Sequence, residues 1–481
     1  MNGKNKVLKA GIWYTICNFF IKGLVFITMP IFTRLMTSHD IGVFSNITSW
    51  FNILAIVTTF EIYSSISVAR FDYKEELNDY ISSSLVLGSI ITAIFYLTVI
   101  IFNKFFTSLL SIDFFTLNLI FIYLLFYPSV QVFLLKNQIE YNYKKIIIIS
   151  LLNAVLSTFM SIIFVLLFSN KLLGRTIGYF APLIIVSMIL YISIIFKGNK
   201  VSCKYWKYAL KISFPLIWHL LAGYLLNSSD KIMITKMISA EANALYSVAY
   251  TISMVVSILW MSMNNAWSPW AYEQMNKKEY NVLKSKSKPY TIFFLLIVFV
   301  FMLISPELLL IMGGKKYVEA KYVIPPVMLG YVFQFIYSLY VNIEFYHKKQ
   351  MKIALGTIIA AIVNIILNYI FIPIFGYIAA AYTTLIGYLL LFIIHYYFVK
   401  RMNCNSWYDT KFFIFVSFVS LLFMIVILEL YHYNMIRYII ILVITMILFI
   451  ICLIKRKELS NAIKEKSIKS LLDIFIKKRR V

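Results

Sequence analysis

Lys22 stands inside the apolar run "ICNFFIKGLVFITMPIF", and Glu61 inside "LAIVTTFEIYSSISVARF". Hydrocarbon accepts neither residue type without a partner or a water-filled cavity beside it. Counted along a helix that begins about eleven residues earlier, Lys22 lies roughly 16 Å from the membrane surface. Its side chain reaches only about 6 Å, so snorkelling does not rescue it. A cation in that position can face an anionic substrate. A carboxylate such as Glu61 can bind a cation or a proton, or the two side chains can form a structural ion pair, and these roles are compatible. Arg34 closes the first run on the outer side, and Arg70 the second on the inner side. A guanidinium matches phosphate oxygens bidentately, which makes both candidate phosphate contacts; the plainer alternative is an interfacial anchor. Further on, "WHLLAGYLLNSSDKIM" holds His219, Asp230 and Lys231 in one run. His219 can titrate near neutral pH or simply pack through a hydrogen bond. Asp230 can bind an ion, pair locally with Lys231 or cap a helix end.

The elements that must position these groups are membrane helices. The chain has 481 residues, is 61% hydrophobic and has a mean hydropathy of +0.84. Apolar stretches of about 20 residues recur from end to end, and about fourteen spans are predicted. One of them covers 43–68 and carries Glu61. The net charge is +25. The lysines and arginines are dispersed over short loops, such as "KGNKVSCKYWK" (197–207) and "KKEYNVLKSKSK" (277–288), and over the tail. Such loops form no continuous basic face for a duplex, so nucleic acid is excluded as a partner. The same distribution predicts cytoplasmic N- and C-termini. Four cysteines without a CxxC spacing indicate neither a disulfide framework nor a zinc site. The first apolar run is too long for a signal peptide, lacks a small-residue cleavage site, and reads as the first helix. From Lys455 the tail places Leu459, Ile463, Leu471, Leu472 and Phe475 roughly on one helical face. That suits a helix on an anionic leaflet, or equally a solvated basic tail that enforces topology.

One cadence is used twice. "TRLMTSHDIGVFS" (33–45) returns 202 positions later as "TKMISAEANALYS" (235–247), without a gap. Thr33 matches Thr235, Arg34 matches Lys236 and Ser45 matches Ser247. Each stretch follows the first helix of a six-helix block, both on the outer side, so the blocks have the same orientation, as in parallel repeats. The expected fold class is an all-α polytopic membrane protein. It has an N-terminal six-helix lobe (1–199), a C-terminal six-helix lobe (200–401), helices 13 and 14 (402–454) and a basic cytoplasmic tail (455–481). Transporters built this way hold substrate between the lobes and expose it to alternate sides. Lys236 shares the two readings of Arg34.

The segments "MPIFTRLMTSHDIGVFS", "SISVARF", "ISFPLIWHLLAGYLLNSSDKIMI", "ALYSVAY" and "NNAWSPWAYEQM" carry a family resemblance. The chain resembles bacterial polysaccharide repeat-unit flippases of the multidrug, oligosaccharidyl-lipid and polysaccharide exporter superfamily. Ala244 departs from it, standing where the family usually has glycine before Tyr-Ser. The resemblance implies two six-helix bundles forming a V around a central cavity. It also implies transport of undecaprenyl-pyrophosphate-linked oligosaccharide from the inner to the outer leaflet of the cytoplasmic membrane, for O-antigen, capsule or another polymer. The partners so implied are that substrate, membrane lipids and other polysaccharide-assembly membrane proteins. No cofactor is expected, and coupling to a H+ or Na+ gradient is open to Glu61, Asp230 or His219.

The sequence contains no GxxxxGK[ST], HExxH or DxD. These absences favour a secondary transporter over an enzyme or an ATP-driven pump. Two exporters of the same superfamily remain as alternatives, for drugs or for the peptidoglycan precursor lipid II. A cavity for organic cations should be acidic, whereas Lys22, Arg34 and Arg70 outnumber Glu61 at the lobe openings. A membrane polymerase or O-acyltransferase needs an acid–base residue on a sizeable external loop. The outer loops here are short and offer little beyond His39, Asp40 and Glu241.

Overall fold

The computed structural model describes residues 3–140, 142–198 and 200–454, and the tail from Lys455 lies outside them. All regular structure among the described residues is helical. The first half contains α1 (Gly3–Leu35), α2 (Ser38–Thr59), α3 (Ile66–Asp72), α4 (Leu77–Ile101), α5 (Asn103–Leu110), α6 (Phe114–Ile139), α7 (Tyr143–Leu167) and α8 (Lys171–Ile195). The second contains α9 (Cys203–Met237), α10 (Ala240–Asn276), α11 (Tyr280–Gly313), α12 (Ile324–Tyr346), α13 (Gln350–Phe375), α14 (Tyr377–Arg401), α15 (Thr410–Leu430) and α16 (Asn434–Ile454). Among the described residues, thirteen helices are long and apolar enough to cross a membrane. The last expected span is α16, whose described apolar stretch, Asn434–Met446, is shorter than the rest. The basic segments 203–207 and 280–288, expected as loops, are the first turns of α9 and α11. A helix satisfies its own backbone on either side of the membrane surface, so polar residues can extend it beyond the apolar stretch.

The repeat fixes helix ends as well as residue types. The first helix of each block stops at Leu35 and at Met237, and the next begins at Ser38 and at Ala240. These are equivalent positions. Thr37 caps α2, its Oγ1 accepting from the Asp40 N–H at 3.1 Å, while the Asp40 carboxylate accepts the Thr37 N–H. Ser239, the counterpart of Thr37, accepts the Ala242 N–H at 3.1 Å.

The described chain groups into two compact units, one of Met1–Thr251, Ile311–Ala320 and Thr357–Thr383, the other of Ile252–Leu310, Lys321–Gly356 and Thr384–Val481. In the first, Phe51 stacks on Tyr123 at 5.4 Å and meets Phe180 edge-on, filling the space between α2, α6 and α8. The start of α9 belongs to this unit, with Tyr205 and Ala209 buried against Ile62, Ile66 and Tyr80. Two glycines bring α7 and α8 into backbone contact. A Cβ at Gly174 would stand 2.4 Å from the Phe164 carbonyl oxygen, and one at Gly178 would stand 2.5 Å from that of Met160. Only this small-xxx-small face lets the α7 and α8 backbones touch. In the second unit α12 is the central helix, almost wholly buried, with Phe335 stacked on Phe294 at 4.4 Å.

The predicted span 43–68 is not one helix. Phe60 and Glu61 both take φ 51°, ending α2, and a single 3-10 turn at Ile62–Ser65 leads into α3. Left-handed conformations cost non-glycine residues roughly 1–3 kcal/mol each and persist where the surroundings over-determine them. Here the Thr59 hydroxyl bonds back to the Ala55 carbonyl and also accepts the Glu61 N–H.

Candidate functional site

The two matching stretches meet each other. The Ser45 and Ser247 hydroxyls lie 2.6 Å apart, and His39 Nδ1 lies 2.9 Å from Glu241 Oε1; both are pairs of equivalent positions. Gly42 passes so close to the start of α10 that a Cβ on it would stand 1.7 Å from the Ala240 carbonyl oxygen. The Asn243 amide donates to the Gly42 carbonyl at 2.9 Å and to Thr235 Oγ1 at 2.8 Å. Contact between equivalent residues is what a local two-fold axis produces. The basic residues are exchanged in the same manner. Arg34 donates to the carbonyls of Pro30 at 2.8 Å and Ile311 at 3.1 Å, while Lys236 donates to that of Ser108 at 2.7 Å. Both side chains are exposed, and their bonds go to neutral carbonyl oxygens.

The Glu61 carboxylate is buried at the break after α2 and shares a hydrogen bond with the Tyr63 hydroxyl. Tyr63 in turn bonds to Tyr127, whose hydroxyl takes a bond from Gln131 at 2.8 Å. A polar chain thus runs from the break into α6. Lys22 is half-buried on α1, about midway along the helix. Arg70 is half-buried near the end of α3, its guanidinium 4.4 Å from the Phe71 ring centre and its Nε without a hydrogen-bond partner.

On α9, Asp230 is fully buried and accepts from the Tyr246 hydroxyl and from the Lys231 N–H at 2.9 Å. Lys231 lies 4.7 Å over the Tyr250 ring. The adjacent Ser229 points to Asn364 at 3.5 Å, and Asn364, Asn368 and Thr383 are linked in a buried hydrogen-bonded row. His219 is half-buried, with an Nδ1 that has no hydrogen-bond partner. Sequence reasoning missed that polar row, because amides and hydroxyls scattered through apolar runs carry no signal until their helices meet.

It also missed Arg175, which is stacked between Phe32 and Phe44 at 4.0 and 3.9 Å and bonds to Met36 Sδ. In the second unit, Glu344 stands near the end of α12, where a carboxylate is ordinarily solvated. It is instead fully buried and lies 2.8 Å from His395 Nδ1, itself fully buried on α14. No group of three or more His, Cys, Asp or Glu able to hold a metal occurs among the described residues.

A polytopic all-helical membrane protein is thereby defined, and comparison with known proteins places it. The chain belongs to the polysaccharide biosynthesis protein family, whose model matches residues 7–275. The MatE family model matches residues 215–370. Among curated proteins, a Lsg locus protein of Haemophilus influenzae is 27% identical over 161 residues, 33% of this chain and 40% of that one. An uncharacterized membrane protein of the same organism is 23% identical over 211 residues, 42% of this chain and 50% of that one. The chain therefore spans half or less of the length of these relatives. The structure of the lipid II flippase MurJ in an inward closed conformation is similar over 93% of this chain and 99% of that one, with a TM-score of 0.65 and 17% identity. An inward-facing multidrug resistance MATE family transporter is similar over 81% of this chain and 94% of that one, with a TM-score of 0.56 and 13% identity. These likenesses establish the fold.

Proposed function

We propose that the protein is a flippase that moves undecaprenyl-pyrophosphate-linked oligosaccharide repeat units from the inner to the outer leaflet of the bacterial cytoplasmic membrane, by alternating access. The family match over residues 7–275 carries this reading. It is supported by cations on α1, α3 and α9, of which Arg34 and Lys236 hold only neutral carbonyls and keep their charge for an anion. Lys22, Arg34, Arg70 and Lys236 are the residues assigned to the pyrophosphate. Coupling to H+ or Na+ is assigned to Asp230, with Glu61 and His219 as the other ionisable groups in play. The buried oxygens of Asn364, Asn368 and Thr383 beside Ser229 support Asp230 over the other two. Both termini are assigned to the cytoplasm, and the product to O-antigen, capsule or a related polymer.

The test is a lipid analysis of a strain lacking the gene, with an impermeant sugar-modifying reagent reporting the leaflet. Complete repeat units on undecaprenyl pyrophosphate should accumulate in the inner leaflet. If they reach the outer leaflet at the normal rate, the proposal fails. Accumulation of lipid II instead would transfer the function to peptidoglycan-precursor export.

A further inference from the structure

A second basic site is formed by residues not assigned to transport. Where the C-terminal ends of α6 and α8 meet the N-terminal ends of α4 and α7, a cavity of about 230 Å³ opens. Lys136, Lys145 and Lys197 line it with Asn78, Asn137 and Ser193, and Glu140 is the one acid among its lining residues. Lys136 Nζ is held by Asn78 Oδ1 at 2.8 Å. None of the three ammonium groups has a carboxylate within ion-pair distance among the described residues. The carboxylate of Glu140 instead accepts the side-chain amide of Asn142 at 2.9 Å. Lys145, Lys197 and Glu140 are near enough to Lys136 to act on its charge, so the three lysines form one field.

The backbone holds this arrangement. A Cβ at Gly198 would stand 1.8 Å from Ser82 Oγ and 2.8 Å from the Asn78 carbonyl oxygen. Glycine there seats the end of the α8 segment directly on the first turns of α4, which brings Lys197 to Asn78. The rim is apolar. Ile148, one turn beyond Lys145, is 61% exposed, and Phe196, next to Lys197, is 82% exposed. Basic pockets between transmembrane helices, bordered by side chains that suit acyl chains, take the headgroups of anionic lipids.

We propose that this cavity binds the phosphate of an anionic glycerophospholipid, with its acyl chains on Ile148 and Phe196. The ligand chemistry is a phosphodiester bearing one negative charge, held by Lys145 and Lys197 and by the Lys136–Asn78 pair. The site is independent of the transport reading, because it uses none of the residues assigned to substrate or coupling ion.

The test is native mass spectrometry of the full-length protein in micelles, titrated with phosphatidylglycerol, phosphatidylcholine or inorganic phosphate. A basic side chain near an anionic headgroup is worth about fivefold in affinity. The Lys145→Gln/Lys197→Gln variant should therefore bind phosphatidylglycerol roughly thirtyfold more weakly than the wild type, and addition of Lys136→Gln should weaken it further. The double variant keeps the Lys136–Asn78 contact and alters only exposed side chains, which guards against loss of folding. A Lys277→Gln/Lys278→Gln control should bind as the wild type does, and phosphatidylcholine should bind at least tenfold more weakly. Equal binding by the double variant, an equal loss in the control, or equal binding of phosphatidylcholine would overturn the proposal. Displacement of phosphatidylglycerol by millimolar phosphate would overturn the lipid assignment in favour of a free anion.

Discussion

Gly42→Ala is the sharpest perturbation the repeat junction offers. The added Cβ would stand 1.7 Å from the Ala240 carbonyl oxygen and 2.5 Å from its carbon. An ordinary carbon–oxygen contact is about 3.3–3.6 Å, so the two backbones must separate by roughly 1.5 Å or more. Neither side is a flexible side chain that can swing away. Overpacking of this kind costs about 1–3 kcal/mol. At about 2 kcal/mol the junction would lose roughly thirtyfold of its population. Alanine favours the helix by about 1 kcal/mol over glycine, so α2 itself is not weakened and the loss belongs to the junction. The assay uses the neighbouring serines, whose hydroxyls lie 2.6 Å apart. In a chain whose native cysteines are changed to serine, Ser45→Cys and Ser247→Cys should oxidise readily to a disulfide, read by loss of maleimide–polyethylene glycol tagging. Addition of Gly42→Ala should slow that oxidation at least fivefold. An unchanged oxidation rate would refute the argument that backbone contact at Gly42 holds the junction.

Gly178→Leu should push α8 off the Met160 carbonyl and cost about 3 kcal/mol or more, measured as loss of thermal stability in detergent, while the exposed Ile189→Leu should be neutral. Glu344→Ala should cost about 3–5 kcal/mol by leaving His395 buried without its partner. In a double-mutant cycle with His395→Ala the two losses should be strongly non-additive, and simple additivity would refute the pairing. Asp409, at the start of α15, is held below the usual carboxylate range by Lys288 at 2.6 Å and by the Phe412 N–H. Its folded pKa is depressed, so its contribution is present above the unfolded value of about 3.9 and is lost as pH falls through the folded value. Asp409→Asn should therefore flatten the acid limb of a stability-against-pH curve and leave it unchanged below that limb.

The all-helical membrane fold was legible because each span must satisfy its backbone alone and bury or expose about 20 apolar residues. The repeat was legible through Thr33, Arg34 and Ser45, whose polarity stands out in an apolar background. Its strongest feature was not. Nothing in "TRLMTSHDIGVFS" announces that His39 and Glu241 touch, because sequence matching records equivalence and not contact. Glu61 was marked by its charge, but the break beneath it was hidden, since Phe60 and Glu61 are ordinary helix residues held in αL by their surroundings. The burial of Glu344 is hidden for a related reason. Distance from a helix end predicts solvation only when no neighbour covers that end, and His395 comes from a helix two elements later. Asn364, Asn368 and Thr383 are individually unremarkable, and their meaning lies in adjacency across two helices, α13 and α14.

The junction also constrains which residue types its two halves can share. Where equivalent positions touch across a two-fold axis, an exactly symmetric ancestor would have each residue facing its own copy. Serine can do that, since a hydroxyl both donates and accepts, and Ser45 and Ser247 still do so. Two glutamates at that separation would repel, and so would two protonated histidines. His39 and Glu241 can therefore be partners only in a chain whose two copies are encoded separately and free to differ. The serine contact would suit two identical stretches, whereas the acid–base contact requires that the two stretches differ.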